Sequence, residues 1–220
     1  MPSVLDKYPI LDGSVERTAQ STWDDAHDNL AGTAASSTST LNGVGIRASL
    51  TGPGRGSGWY VSRCFFSFDM SNITHVPLNA ILKIRGITNN NIAVIHTVKA
   101  TSDIEGGLTT ADFDSIEGWD GRADNTGNVT YYASNTSSWS SSGYNNITLN
   151  QQALVDMVGQ DRLNIALLAH RDINNTGGDF PPPASTQYSG LTFTEYSGTV
   201  NDPNIRLTTQ DDAVFMGTNF

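Results

Sequence analysis

Apolar and polar residues alternate with a period of two through the middle of the chain. In Tyr60-Val-Ser-Arg-Cys-Phe-Phe-Ser-Phe-Asp69, Cys64, Phe66 and Phe68 share one face of an extended strand. Arg63, Phe65 and Ser67 take the other, because strand side chains point alternately up and down. Asp69-Met-Ser-Asn72 breaks the pattern with turn formers. Leu78-Asn-Ala-Ile-Leu-Lys-Ile-Arg-Gly86 then resumes it, with Ala80, Leu82 and Ile84 set against Ile81, Lys83 and Arg85. Two neighbouring strands with one strongly apolar face each predict half of a β-sandwich core.

The remaining text predicts strands over Ser14–Arg17, Asn42–Leu50, Ile92–Val98, Tyr188–Tyr196 and Pro203–Thr209, giving about nine or ten in all. Leu163–Ala169 is apolar on both faces, which marks a central strand. Asn150 is a good N-cap for one short helix over Gln151–Val158, where Leu154, Met157 and Val158 form an apolar stripe. Thr109–Asp112 predicts one capped helical turn inside a long insertion, Lys99–Asn145. Residues 1–13 read as an arm, Ser21–Leu41 as an irregular excursion, 14–210 as a single domain and 211–220 as an amphipathic tail. The predicted fold is all-β, an antiparallel two-sheet sandwich of jelly-roll type with one short helix.

Composition sharpens this picture. Charged residues are only 15% of the 220, and Ser, Thr, Asn and Gly carry the polar load, which favours strands and turns over long helices. Net charge is −10, and the twelve Lys and Arg form no run, which argues against nucleic acid as a partner. The longest apolar run, Leu163–Ala169, is far below the roughly 20 residues a membrane helix needs. Met1-Pro-Ser-Val-Leu-Asp-Lys7 lacks the pattern of a signal peptide, so synthesis in a cytoplasm is expected. Cys64, the single cysteine, is expected to be a buried thiol.

Catalytic motifs are weak. Gly43-Val-Gly-Ile-Arg-Ala48 fits a dinucleotide fingerprint only in its letters, since β-type residues and Gly52-Pro-Gly54 follow where a helix should open. His27, His75, His96 and His170 show no zinc-ligand spacing. Asp24/Asp25 and Asp112/Asp114 are carboxylate pairs that read as solvated loop groups rather than glycosidase acids. No catalytic residue and no metal ligand is assigned. The aromatics of the insertion carry more interest. Trp119, Tyr131, Tyr132, Trp139 and Tyr144 lie in a Ser/Asn/Thr/Gly background, where they serve either as loop anchors or as contacts for protein or glycan.

Asp12-Gly-Ser-Val15, Ser62-Arg-Cys-Phe-Phe-Ser-Phe-Asp-Met-Ser71, Ala80-Ile-Leu-Lys-Ile84, the Leu149–Val158 junction, Leu163-Asn-Ile-Ala-Leu167 and Ser197-Gly-Thr-Val-Asn-Asp-Pro203 occur in an order that is itself informative. It resembles the phage and bacterial jelly-roll modules of carbohydrate-binding-module, or DNRLRE-like, type. That resemblance covers nearly the whole chain, and it is more specific for fold than for activity. It implies a non-enzymatic virion structural protein, a capsid decoration or cement subunit bound to the major capsid protein or other virion proteins. It implies an oligomer as well, with a trimer favoured because three-fold sites suit closed rings. Phe215, Met216 and Phe220 in the tail are the expected partner contacts beside the loop aromatics. The alternative it implies is a glycan-binding, receptor-recognising module on a tail or appendage. Related jelly rolls hold one structural calcium ion, for which Asp120-Gly-Arg-Ala-Asp124 has oxygen ligands but not EF-hand spacing. No other cofactor is expected.

Overall fold

A computed structural model of the chain describes residues 2–36, 46–51, 58–90, 94–176, 188–194 and 199–210. Parts of the expected strands at 42–45, 92–93 and 195–196, together with the tail at 211–220, lie outside the described residues. Among the described residues, eleven strands form an antiparallel β-sandwich: β1 Pro2–Lys7, β2 Pro9–Gln20, β3 Ala34–Ser36, β4 Ile46–Thr51, β5 Gly58–Asp69, β6 Asn79–Asn90, β7 Ile95–Lys99, β8 Tyr144–Thr148, β9 Arg162–Ala169, β10 Tyr188–Leu191 and β11 Asn204–Gln210. The first sheet runs β1-β11-β6-β8. The second runs β3-β2-β5, with β4 and β9 sharing the far edge of β5 and β7 lying beyond β9. The second half of β6 pairs with β10, which pairs with β4, so the sheets are stitched together at one end.

The predicted alternation builds the core between the sheets. Cys64, Phe66 and Phe68 are fully buried, as are Ala80, Leu82 and Ile84, and all six join one cluster with Ile165, Leu167, Ile205 and Leu207. Burial also pushes the Cys64 thiol well up, with the nearby Asp12 and Glu16 carboxylates adding to the effect. At the stitched end, the inward positions turn polar. Arg47 donates from Nε to Ser49 Oγ at 2.6 Å and lies over the Tyr60 ring, and Asp12 accepts from both the backbone and the hydroxyl of Thr194.

Two readings of the ends are corrected. The arm is no arm: Pro2–Lys7 pairs with Gln210–Ile205, and Pro9 already opens a strand that ends at Gln20. Its partner lies about 200 residues away, and only a folded chain supplies it. The Ser21–Leu41 excursion contains α1, Trp23–His27, and then β3. Thr22 caps α1 by accepting from the Asp25 N–H, with Asp24 and Asp25 in the first turn. α2, Gln151–Asp156, is the helix predicted from Asn150, whose side chain accepts from the Ala153 N–H at 3.1 Å. A third short helix, α3, His170–Ile173, follows β9 directly. The predicted turn in the insertion is a 3-10 helix, Thr110–Asp114, closed by a capping box between Thr109 and Asp112.

The outer face of the second sheet is not left to water. Phe65 and Ser67 are fully buried there, and so is Arg63. The insertion folds over this face with Ile104, Phe113, Ile116 and Val129, joined by Trp23 from α1. A buried guanidinium needs partners for its donors, and Arg63 makes three hydrogen bonds among the described residues. It donates from Nε to Asp172 Oδ2 at 2.9 Å, from Nη2 to Oδ1 at 2.8 Å and from Nη1 to the Phe113 carbonyl at 2.7 Å. Its Cζ lies 4.0 Å from the ring centres of both Phe113 and Trp119. His27 Nε2 meets the Asp172 carbonyl at 2.7 Å, so α1 closes on the same point.

A second polar anchor joins β7 to α3. The sequence sets His96 and His170 far apart, but the fold stacks their rings and brings His96 Nε2 to His170 Nδ1 at 2.8 Å. Burial, reinforced by the charge His170 can carry, lowers the His96 pKa from 6.5 to about 4.

Removing one partner of a buried ion pair strands the other charge. Asp172→Ala is therefore expected to cost about 3–5 kcal/mol in chemical denaturation, whereas Asp25→Ala on the surface of α1 costs about 1 kcal/mol or less. For His96, the unfolded chain binds a proton that the folded chain refuses between pH 6.5 and about 4. Its contribution to stability is complete above pH 6.5 and falls away as the pH drops through that window. Denaturation measured across this range is expected to show the loss, with a flatter profile in His96→Gln.

Candidate functional site

The outer face of the first sheet stands in contrast, because no layer of described residues covers it. β6 sends Ala80, Leu82 and Ile84 inward, so its register turns Ile81, Lys83 and Arg85 outward. Antiparallel pairing sets Arg206 of β11 beside Ile81, Asp6 of β1 beside Arg206, and Tyr144 of β8 beside Arg85. Val4, two residues before Asp6, lies on the same face and is 64% exposed. Tyr8, just past β1, is close enough to act electrostatically on both Arg206 and Tyr144.

Contacts within this face are well formed. Arg206 grips Asp6 with a two-pronged pair, Nε to Oδ1 at 2.8 Å and Nη2 to Oδ2 at 2.9 Å. That hydrogen bonding holds the Asp6 carboxyl below its ordinary value. The Lys83 ammonium lies 4.9 Å from the centre of the Tyr144 ring. The Tyr144 hydroxyl donates toward the carbonyls of Val200 at 2.8 Å and Asp202 at 3.2 Å, which ties the ring to that segment. Partial burial raises the pKa of this hydroxyl. On the described strands of this face Lys83, Arg85 and Arg206 outnumber Asp6, with the Asp202 carboxylate near Tyr144, so these strands present a net positive face on a chain whose net charge is −10. Among the described residues β1 pairs only with β11, leaving its other edge of N–H and C=O groups open. Leu78 is 56% exposed just before β6, where its N–H bonds to the Thr208 carbonyl on the side of β11 away from β1.

The aromatics singled out from the sequence do not assemble into one platform. Tyr144 alone lies on this face. Trp119 is packed on Arg63 beneath the insertion, 5.4 Å from the His27 ring. Tyr131 leans on His96 with ring centres 5.7 Å apart. Tyr132 is 1% exposed and donates its hydroxyl to Asp156 at 2.7 Å. Trp139 is 7% exposed and sits against Gly86, where an added Cβ would meet Trp139 Nε1 at 2.7 Å and the Ser140 carbonyl more closely still. Tyr132 and Trp139 are loop anchors, not ligand contacts, because an insertion short of apolar residues needs its rings to hold it to the sheets. Phe215, Met216 and Phe220 lie outside the described residues.

The acidic candidates are likewise occupied. Asp25 accepts from Ser21 and the Thr22 cap region, Asp112 from Thr109 and Ser115. In the candidate calcium loop, Asp120 accepts from the Arg122 N–H and Asp124 from Thr126, so both carboxylates close local turns. Among the described residues no three His, Cys, Asp or Glu side chains converge on one point. Sequence reading missed Lys83, Arg85, Arg206 and Tyr8 as a group. The Lys83/Arg85 alternation was visible, but its strand partners at the two chain ends were not.

No protein-family model and no curated protein sequence matches this chain.

The anchoring role of Tyr132 can be checked directly. Tyr132→Phe leaves Asp156 one donor short in a buried setting and is expected to cost about 1.5–3 kcal/mol in denaturant unfolding. Tyr144→Phe, at the edge of the exposed face, costs about 1 kcal/mol or less.

Proposed function

We propose that this chain is a non-enzymatic structural subunit of a phage particle, a capsid decoration or cement protein. In this reading, the outer face of the first sheet and the open β1 edge seat on neighbouring virion proteins, the major capsid protein first among them. The observation that carries it is the positive, tyrosine-bearing sheet face on a strongly acidic chain. Tyr and Arg are enriched at protein interfaces, where an amphipathic ring or planar fork gives much contact for little lost freedom. Charge of this sign selects acidic partner surfaces. An open six-residue edge can accept a further strand from a partner, with main-chain hydrogen bonds supplying affinity. The covered second sheet gives the sandwich the rigidity such a support needs. Oligomerisation, with a trimer favoured, belongs to the same proposal.

Particles lacking the chain, incubated with purified protein, test this reading. Wild-type protein is expected to bind at stoichiometric occupancy, more weakly at high salt because surface charges are screened. Lys83→Glu combined with Arg85→Glu is expected to lower apparent affinity at least about tenfold, a change of about 1.4 kcal/mol. Occupancy equal to wild type in that double variant would remove this face from the account.

A further inference from the structure

Among the described residues β1 is paired on one side only, and both faces of its free edge carry apolar surface. Val4 points outward and is 64% exposed. Leu5 stands opposite the fully buried Leu207 and so faces the core, yet it is 42% exposed, because no further strand among the described residues closes that flank. Lys7 ends the strand. Such an edge is a template for one more strand, with apolar residues opposite Val4 and Leu5 and an acid opposite Lys7.

The chain itself carries a matching segment. Asp211-Asp-Ala-Val-Phe-Met-Gly-Thr-Asn-Phe220 follows β11 directly and lies outside the described residues. Set antiparallel to β1, one register puts Asp212 opposite Lys7, Ala213 opposite Asp6, Val214 opposite Leu5 and Phe215 opposite Val4. A slip of one residue in one direction sets Asp212 against Asp6, and a slip in the other leaves Lys7 opposite Ala213. Charge and apolar match therefore select the same register. The segment cannot reach it on its own copy. Gln210 is paired with Pro2, and Lys7 lies at the far end of β1, about 17 Å away at the usual rise per residue. Asp212 is only two residues past Gln210 and reaches at most about 7 Å. On its own copy the segment can only run parallel to β1, which keeps its acids at the Pro2 end, away from Lys7. A second copy has no such restriction.

We propose that residues 211–220 of one copy add as a strand to the open β1 edge of a second copy, in the register that pairs Asp212 with Lys7 and Phe215 with Val4. This rests on the reading of that edge as an acceptor of a partner strand, and it names the partner as another copy of the chain. The outer face of the first sheet is then left for other virion proteins. Each copy gives one strand and receives one, so the exchange closes as a ring or a reciprocal pair. Gel filtration with light scattering of the purified full chain, in the absence of particles, tests it and reads separately from particle occupancy. An oligomer that dissociates on dilution is expected. Lys7→Asp and Asp212→Lys, each alone, set like charges opposite one another and are expected to raise the dissociation constant about tenfold. Combining them restores the opposite pair and is expected to return the constant to within about threefold of wild type. Val4→Cys with Phe215→Cys is expected to give disulfide-linked oligomers on oxidation, the native Cys64 being buried. A chain that is monomeric at every concentration, a double charge variant no tighter than the singles, or a disulfide between positions 4 and 215 closed within one copy would each overturn the proposal, whatever the particles show.

Discussion

The structure depends on one buried ion pair, Arg63 with Asp172. A guanidinium at the centre of β5, with no exposure to solvent, would cost several kcal/mol if left unmatched. Its match is complete only when three separate pieces of chain arrive together. α3 brings the carboxylate, the Thr110–Asp114 turn brings a carbonyl, and Phe113 and Trp119 cover the two flat faces. α1 adds His27 against the backbone of Asp172. Because all must be in place at once, the pair specifies a single arrangement for an insertion that has little regular structure of its own. Apolar side chains of the same volume could fill the space, but they would not set the register of the layer so narrowly.

This constraint makes the two sheets unlike one another. The second sheet is buried on both faces and its covering layer consumes most of the aromatic side chains of the insertion. The first sheet has one face in the core and one face over which no described residues form a layer, carrying Lys83, Arg85 and Arg206 with two tyrosines nearby. Rigid support on one side and an uncovered, oppositely charged surface on the other is an arrangement suited to docking. Polar residues at the border between insertion and β9 form a cleft around Arg162 and Asn164 for the same reason: the cover stops there.

Much of this was legible in the sequence. Alternation in Cys64–Phe68 and Ala80–Ile84 determined which side chains line the core, because a period of two assigns faces without reference to anything distant. Asn150 and Thr109 marked helix starts, since a cap acts within three residues. The doubly apolar run Leu163–Ala169 read correctly as a central strand, lying between β5 and β7. Low charge and abundant turn formers determined the all-β class.

Only the tertiary structure decided the rest, and the missed features share a cause. Pro2–Lys7 looked like an arm because its partner is β11, at the other end of the chain. Alternation placed Arg63 on the second face of β5 but not its partner, because its carboxylate is 109 positions away. Trp119, Tyr132 and Trp139 looked available because a sequence shows that a ring sits in a polar loop but not which way the loop turns. Local rules act over a few residues and survive in the text. Partners distant along the chain are chosen by packing, so the uncovered sheet face and the cleft, each drawn from several separate strands and loops, exist only once the chain has folded.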